Sequence, residues 1–316
     1  MPDVENVIII GSGPAGLSAA IYTAREGFNP LMITGVAAGG QLELTTVVEN
    51  YPGFPDGVDG PELMEKIRKQ AERFGTRFIN DDVSSVDLRS RPFKVTVSGE
   101  TYQAKCVIVA TGAKAKTLGI QSETKFIGKG ISTCATCDGT FYKGKDVIVI
   151  GGGDTAMEDS LFLTRFASSV TIVHRRDSFR ASKVMAERVL SNSKIKVIWN
   201  TAVEDILGSD RVTGAKLRNV VDGKITEMKI DGVFMAIGYE PSSKIFNGQL
   251  KIDERGYIIT KEEIETDIEG VFVAGDVSDM FYRQAATASG SGVKAALKAR
   301  EYLSELEYKN QKSNLP

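Results

Sequence analysis

The chain has 316 residues, of which 42% are apolar and 25% are charged, and its formal net charge is −2. This length allows about two domains with buried cores, and the composition is typical of a globular enzyme. The nearly balanced charge gives no support for general binding to nucleic acid or to a membrane surface. No apolar stretch of the sequence approaches the roughly 20 residues that cross a bilayer as a helix.

The cysteine content indicates the compartment. Of the three cysteines, two lie in one short loop, which is not the pattern of a secreted scaffold held by disulfides. The first six residues are acidic and lead directly into a predicted strand, so we expect no signal peptide. These features predict a reducing compartment, the cytoplasm.

The first nucleotide-binding pattern lies at the start of the chain. An apolar, β-branched run at 7–10 predicts a buried parallel strand, followed by a glycine-rich turn, an alanine-rich helix from 17 to about 26 and a second strand at 30–33. In this order the glycines permit a tight turn, close approach of a pyrophosphate, and close packing of helix against strand. The residues of this predicted site are Gly11, Ser12, Gly13, Pro14, Ala15 and Gly16.

The same pattern recurs near the middle of the chain. A strand at 146–150 leads into a second glycine turn, a helix from about 157 to 166, and a strand at 170–173. Repetition of the complete strand–turn–helix–strand context predicts a second dinucleotide site. The turn residues assigned to it are Gly151, Gly153, Asp154 and Thr155.

Three further apolar strands, at 107–112, 233–238 and 270–275, suggest how the two units are connected. The first two strands finish the two units, and the third returns to the first unit with Asp276 near a cofactor sugar or phosphate. The fold class is therefore α/β, with two Rossmann-like, doubly wound, three-layer nucleotide-binding domains, the second inserted in the first. The predicted boundaries are 1–114, 115–243 and 244–316, with 114–119 and 239–243 as the connectors of a hinge.

A basic run follows the second strand of the inserted domain. NAD-binding units carry an acid there for the ribose 2′-hydroxyl, whereas this chain has His174, Arg175, Arg176 and Arg180. Arginines at this place would bind a 2′-phosphate, which favours NADP(H) over NAD(H). The alternative is a solvent-exposed basic helix start. His174, the only histidine, is assigned to the adenosine pocket; the first unit has a Thr-Gly pair instead, which leaves its ligand open at this point.

Cys134 and Cys137 are separated by two residues, and such a pair in an α/β protein indicates a redox dithiol. The alternative is half of a zinc site, which usually needs four ligands. The chain offers only Cys106 and His174 besides, and each lies in a segment with another interpretation. We therefore expect no metal site, and Cys106 is interpreted as a core residue.

These motifs together resemble the low-molecular-weight thioredoxin reductases, the NADPH- and FAD-dependent flavoproteins of bacteria, archaea, fungi and plants. The resemblance extends from residue 7 to about 303. The segments that carry it are Gly-Ser-Gly-Pro-Ala-Gly at 11–16, Gly-Gly-Gln-Leu at 39–42, Glu-Asn-Tyr-Pro-Gly at 49–53, Ala-Thr-Gly-Ala at 110–113, Cys-Ala-Thr-Cys-Asp-Gly at 134–139, Gly-Gly-Gly-Asp-Thr-Ala at 151–156, His-Arg-Arg-Asp-x-Phe-Arg-Ala at 174–181, Gly-Asp-Val at 275–277 and Tyr-Arg-Gln-Ala at 282–285.

The resemblance implies FAD in the first domain, because its Thr-Gly pair at 34–35 is usual in that family. It implies that Cys134 and Cys137 form the redox disulfide, with Asp138 as the acid/base beside it, and that the protein is a homodimer. Electrons would pass from NADPH through FAD and the disulfide to thioredoxin, with rotation of the inserted domain. The FAD contacts it implies are Ser12 to Ala15, Gln41, Asn50, Val83 through its backbone, Asp276, Arg283, Gln284 and Ala285.

Slight departures from the family pattern occur at Lys129 and at Thr140-Phe141, which flank the dithiol, and they put the preferred partner in doubt. Other functions weighed are a flavin-dependent dithiol oxidase, a disulfide reductase for another thioredoxin-like partner or for a peroxide-reducing system, and a redox-sensing binding module. The arginine cluster argues against the oxidase, since an enzyme that uses oxygen does not need a 2′-phosphate site.

Overall fold

The computed structural model describes residues 4–45 and 47–313, so the interpretation of the first six residues lies partly outside the described chain. The chain divides into two compact units: unit 1 is Met1–Lys114 with Glu240–Pro316, and unit 2 is Ala115–Tyr239. Unit 2 is continuous in sequence and is inserted between the two parts of unit 1. The chain leaves unit 2 at residue 239, rather than at the predicted residue 243.

The elements were identified along the whole described chain. The strands are β1 Glu5–Ile10, β2 Leu31–Ile33, β3 Val47–Val48, β4 Val58–Asp59, β5 Arg77–Ile79, β6 Val83–Asp87, β7 Phe93–Val97, β8 Glu100–Val109, β9 Ala113–Ala115, β10 Ile131–Ser132, β11 Asp146–Gly151, β12 Ser169–Val173, β13 Ile195–Ile198, β14 Thr201–Gly208, β15 Val212–Asn219, β16 Ile225–Lys229, β17 Gly232–Ala236, β18 Tyr239–Pro241 and β19 Val271–Val273. The α-helices are α1 Pro14–Arg25, α2 Gly60–Arg73, α3 Gln121–Phe126, α4 Ala135–Asp138, α5 Asp154–Leu163, α6 Lys183–Leu190 and α7 Ala285–Ser313. Short 3-10 turns occur at Gly40–Leu44, Gly139–Tyr142 and Lys244–Phe246.

Unit 1 is built on a sheet with the strand order β5-β2-β1-β8-β7-β6, in which β19 also pairs with β8. Strand β1 is parallel to both β2 and β8, as expected for a nucleotide-binding unit. Its alternate residues enter two cores: Val7 and Ile9 pack with the helices, whereas Ile8 packs with Phe246 and Leu250. Both faces of β1 are buried, which explains its uninterrupted apolar sequence.

Unit 2 repeats this arrangement in the parallel sheet β10-β17-β11-β12-β13. Val147 and Val149 pack on one face with Met157 of α5 and Val189 of α6. Ile148 on the other face packs with the three-stranded antiparallel sheet β14-β15-β16. The predicted α/β class with two Rossmann-like sheets is confirmed.

Both fingerprint helices begin earlier than predicted. Helix α1 begins at Pro14 rather than at residue 17, and α5 begins at Asp154 rather than at residue 157. Proline is favoured at the first helical position because it lacks an N–H that would have no intrahelical partner there. The last part of each glycine fingerprint therefore belongs to the helix and not to the turn.

The two connectors between the units pair as a two-stranded sheet of β9 and β18. On the unit 2 side, the N–H of Lys116 donates to the carbonyl of Gly238 at 2.9 Å. On the unit 1 side, the N–H of Ser242 donates to the carbonyl of Gly112 at 2.9 Å. In the part of the chain that the structure describes, no helix is long and apolar enough to cross a membrane.

Helices α1 and α7 approach each other closely through a glycine. A Cβ atom placed on Gly292 would lie 2.0 Å from the carbonyl oxygen of Ala15, far inside van der Waals contact. Two turns of α7 thus depend on the absence of a side chain, and this packing fixes the N-terminal end of α1.

We predict that Gly292→Ala lowers the free energy of unfolding by about 1–3 kcal/mol, because the added methyl group forces the two helices apart. Gly290→Ala is the matched control on the same helix, since a Cβ there meets nothing within 4 Å. The control should be neutral or stabilising by up to about 1 kcal/mol, because alanine favours the helix. Melting temperatures of the two variants test this, and equal melting temperatures would contradict the close packing.

Candidate functional site

The glycine turn of unit 1 has the geometry of a phosphate-binding turn. Gly11 has φ +106°, and a Cβ there would lie 2.3 Å from the carbonyl oxygen of Ala110. A Cβ on Gly16 would lie 2.0 Å from the carbonyl oxygen of Gly11, whereas one on Gly13 would meet nothing within 4 Å. The outer two glycines are therefore required by the protein itself, and the space at Gly13 remains open for a ligand.

The start of α1 supplies the donors of this turn. No side chain caps the helix at Gly13, so the N–H groups of its first turn are not bonded by a capping residue. The Ser12 side chain is already engaged: its hydroxyl donates to the carbonyl of Thr34 at 2.9 Å and accepts the N–H of Gly39 at 3.0 Å. Ser12 thus fixes the loop after β2 that leads to Gln41, which lies exposed in the first 3-10 turn.

Residues far apart in the sequence meet in unit 1. The Asn50 amide nitrogen donates to the Gln284 side-chain oxygen at 3.1 Å, although 234 positions separate them. Both residues were assigned to FAD from the sequence. Val83 is the first residue of β6, and the Asp82 carboxylate just before it accepts the N–H of Val36 at 3.0 Å. Val83 is thereby held near the loop that follows β2, whereas Asn50 and Gln284 form a separate pair.

Asp276 follows β19, the strand beside β8. Burial raises the pKa of this carboxyl to about 6; Asp279 contributes to the rise and Arg283 offsets part of it. At pH 7 the group is mostly ionised in surroundings that disfavour the charge, so a hydroxyl or N–H donor beside it would be stabilising. This property suits the predicted contact with a cofactor sugar.

The loop that carries Arg283 is shaped by Asp279, a residue that the sequence analysis missed. The Asp279 carboxylate accepts the N–H groups of Phe281 at 2.8 Å, Tyr282 at 2.9 Å and Arg283 at 3.4 Å. Arg283 adopts a left-handed conformation with φ 47°, which is uncommon for a residue other than glycine. The three bonds stabilise this conformation just before Gln284 and Ala285, the start of α7.

The glycine turn of unit 2 repeats the pattern of unit 1. A Cβ on Gly151 would lie 2.4 Å from the carbonyl oxygen of Ala236, whereas one on Gly153 would meet nothing within 4 Å. Helix α5 begins directly after Gly153 and has no side-chain cap. The open space and the donors therefore coincide again, and Thr155 lies in the first turn of this helix.

The basic loop of unit 2 follows β12. Arg175, Arg176 and Arg180 are exposed, so their guanidinium groups can reach a ligand. His174 is only 5% exposed, and a Cβ on Gly152 would lie 2.2 Å from its ring. Burial lowers the pKa of His174, and Arg180 and Arg176 lower it further. His174 is therefore a neutral ring wedged against the glycine turn, and its assignment to the adenosine pocket stays a prediction.

Asp154 has a structural partner within the same loop. Its carboxylate accepts both the N–H and the hydroxyl of Ser182 at 2.8 Å. These bonds lower the pKa of Asp154 and keep it ionised. Since a carboxylate repels phosphate, we interpret Asp154 as a tie between α5 and the end of the basic loop rather than as a phosphate ligand.

The dithiol loop lies in unit 2, between β10 and β11. Cys134 and Cys137 form a disulfide with their Cα atoms 5.3 Å apart. The short helix α4 closes around it, because the N–H groups of Cys137 and Asp138 donate to the Cys134 carbonyl at 3.2 and 3.1 Å. Both cysteines are half-buried, and the neighbouring Phe141 ring is 40% exposed.

Asp138 sits at the end of α4, immediately after the second cysteine. Burial raises the pKa of its carboxyl, and a hydrogen bond with the Ser132 side chain opposes the rise. A raised pKa suits a group that must give and take a proton near neutral pH. Ser132 also accepts the N–H of Cys134 at 3.0 Å, so this serine contacts both the disulfide loop and the acid. Sequence analysis did not select Ser132.

The third cysteine has no part in this site. Cys106 is fully buried in β8, and burial raises the pKa of its thiol far above the usual range. It is a core residue, as interpreted from the sequence. Within 4–45 and 47–313, no group of three or more His, Cys, Asp and Glu side chains is arranged to hold a metal ion.

Comparisons with known proteins agree with this geometry. Residues 5–292 match the pyridine nucleotide-disulphide oxidoreductase family. A thioredoxin reductase of Rickettsia conorii is 54% identical over 310 residues, which cover 96% of this chain and 100% of that protein. A thioredoxin reductase of Streptomyces coelicolor is 52% identical over 309 residues, covering 97% and 96% of the two chains. The crystal structure of thioredoxin reductase from Streptococcus pyogenes superposes with a TM-score of 0.92 at 38% identity, covering 96% of this chain and 100% of that one.

The chain therefore belongs to the pyridine nucleotide-disulphide oxidoreductase family, and its resemblance to thioredoxin reductases is confirmed. Membership makes it an oxidoreductase that uses a flavin and a nicotinamide nucleotide.

The hydrogen bond between Ser132 and Asp138 predicts a shift in a pH profile. In Ser132→Ala the pKa of Asp138 should rise further, because burial remains and the opposing bond is lost. The carboxyl then stays protonated to higher pH, so the ionisation seen in the rate of exchange with a small aromatic disulfide should move upward.

The same serine change in an Asp138→Asn background is the control. There the shift should disappear, because the amide does not titrate. A shift of equal size in both backgrounds would show that Ser132 acts on the exchange by another route.

Proposed function

We propose that this member of the pyridine nucleotide-disulphide oxidoreductase family is an NADPH-dependent thioredoxin-disulfide reductase with FAD as its flavin. The observation that carries the proposal is the Cys134–Cys137 disulfide, followed directly by a carboxyl with a raised pKa. The relatives named thioredoxin reductase support thioredoxin as the partner. We further propose that the protein works as a homodimer in the cytoplasm.

FAD is assigned to unit 1. The open space at Gly13, the uncapped start of α1 and the buried carboxyl of Asp276 fit a pyrophosphate and a sugar hydroxyl. The Asn50–Gln284 pair places two further amides on one side of the unit. The residues that would hold FAD are Ser12, Gly13, Pro14, Ala15, Gln41, Asn50, Val83, Asp276, Arg283, Gln284 and Ala285.

NADPH is assigned to unit 2. The open space at Gly153 and the uncapped start of α5 suit its pyrophosphate. The exposed Arg175, Arg176 and Arg180 follow β12, where a 2′-phosphate would be recognised, and no acid stands directly after the strand. An oxygen-using dithiol oxidase is not favoured, because it would have no use for these three cations.

The bound cofactors supply the two electrons and the proton that convert the Cys134–Cys137 disulfide to a dithiol. One thiolate of the dithiol then attacks the disulfide of the partner protein, forming a mixed disulfide and releasing a partner thiolate. The second cysteine attacks the mixed disulfide, which re-forms the Cys134–Cys137 bond and releases the partner as a dithiol. Asp138 protonates a leaving sulfur of the chain's own pair and takes the proton back when the pair closes.

We also propose that the β9 and β18 connectors form a hinge for rotation of unit 2. The disulfide and the second nucleotide turn belong to one compact unit, and the chain enters and leaves it through these two paired strands. Motion of such a hinge would expose the dithiol to its partner between turnovers.

The cofactor assignment is tested by replacing Arg175, Arg176 and Arg180 together with alanine. Each charged hydrogen bond is worth about 1.5–3 kcal/mol, so KM for NADPH should rise by roughly a hundredfold or more. KM for NADH should hardly change, because NADH lacks the 2′-phosphate. The measurement is reduction of thioredoxin with either nucleotide.

The matched control replaces Arg165, Arg188 and Arg218, which are exposed arginines elsewhere in unit 2. It removes the same charge and should leave KM for NADPH within a few-fold of the parent. Unchanged use of NADPH by the first triple variant would exclude the clamp. Failure of the parent to reduce thioredoxin with either nucleotide would exclude the proposed function.

A further inference from the structure

An aromatic cluster lies behind the basic loop of unit 2. Trp199, the only tryptophan of the chain, packs on Phe179 with ring centroids 4.4 Å apart and on His174 at 6.1 Å. His174 and Phe179 also contact each other at 5.8 Å. Phe179 directly precedes Arg180, and His174 directly precedes Arg175, so the cluster contacts both ends of the segment that carries the arginines.

Backbone hydrogen bonds join the same elements. The N–H of Asn200 donates to the carbonyl of Arg176 at 3.0 Å, and the N–H of Thr201 donates to the carbonyl of His174 at 2.9 Å. Trp199 therefore ends β13 at the point where the following backbone is bonded to the basic loop. Asn200 has φ 50°, which turns the chain sharply after the indole.

The other side of the loop is bonded to the glycine turn. The N–H of Arg180 donates to the carbonyl of Gly152 at 2.7 Å, and the His174 ring nitrogen lies 3.0 Å from the carbonyl oxygen of Ser178. The loop backbone is thus held between the glycine turn and Trp199. The arginine side chains themselves are exposed, so their placement depends on this backbone.

We propose that Trp199 is a positioning residue for nucleotide selectivity: its indole holds the loop backbone in the conformation in which Arg175, Arg176 and Arg180 converge on a 2′-phosphate. The inference rests on the proposed use of NADPH. A long arginine side chain gains affinity only when its backbone is already ordered, because ordering on binding costs free energy. The indole has no contact with the phosphate in this account and acts through Phe179 and His174.

The effect should be selective for ligands that carry the 2′-phosphate. Loss of an aromatic pair corresponds to a change of about two- to tenfold in an equilibrium constant. In Trp199→Leu the dissociation constant of adenosine 2′,5′-bisphosphate should rise by that factor. The dissociation constant of adenosine 5′-monophosphate should stay the same, and Trp199→Phe should recover most of the loss.

The experiment is isothermal titration of the full-length holoenzyme with these two nucleotides, with no turnover required. Phe166→Leu is the matched control, since Phe166 forms a separate ring pair with Phe162 at 5.4 Å in the same unit. It should alter neither dissociation constant. Phe179→Leu removes the other member of the 4.4 Å pair and should reproduce the selective loss, even if Trp199→Leu fails to fold.

In the parent protein, fluorescence of the single tryptophan should change with the bisphosphate and not with the monophosphate, because only the former engages the loop. Equal weakening of both nucleotides, or of neither, in the Trp199 and Phe179 variants would overturn the positioning role. A parent protein that binds the two nucleotides equally would instead exclude the 2′-phosphate site on which the proposed function depends.

Discussion

The close approach of backbone to backbone at the glycine turns is the constraint on which the rest of the structure depends. At Gly11 and Gly151 the turn lies so near the carbonyl of the adjacent strand that no side chain fits, at 2.3 and 2.4 Å from a Cβ position. This contact sets the start of each helix directly at the carboxyl end of its strand. Open space then remains only at the middle glycine, where the helix N–H groups are directed toward a ligand.

A second constraint is the burial of charge beside groups that must react. The carboxyls of Asp138 and Asp276 are both raised in pKa by burial, and each has a nearby group that limits the rise. At Asp138 the limiting group is the Ser132 hydroxyl, and at Asp276 it is the Arg283 guanidinium. Both carboxyls can therefore exchange a proton or accept a donor closer to neutral pH than an exposed aspartate can.

The sequence predicts the parts of this protein that depend on local pattern. The two strand–turn–helix units, the cysteine pair and the basic loop were all identified because each occupies a short contiguous segment. The helix starts were predicted a few residues late, since Pro14 and Asp154 look like turn residues and in fact occupy the first helical positions. The exit from unit 2 was placed at residue 243 instead of 239 for a similar reason, because nothing in the sequence distinguishes β18 from the loop after it.

Contacts between distant segments were beyond the reach of pattern. Nothing in the sequence indicates that Asp154 binds Ser182, or that Asn50 binds Gln284. Ser132, Asp279 and Trp199 were missed because their roles consist of contacts with residues that carry the motif, not of a motif of their own. Such supporting residues convert a recognisable sequence into an ordered site.

The central claim is that electrons leave the flavin only through the Cys134–Cys137 pair. The most direct measurement is stopped-flow absorbance of the flavin, beside a thioredoxin-coupled assay, on a protein with Cys134→Ser and Cys137→Ser. Serine is close in size to cysteine, and the account predicts that NADPH still bleaches the flavin while thioredoxin reduction disappears. Thioredoxin turnover by this variant would contradict the account, because the electrons would then leave by another route.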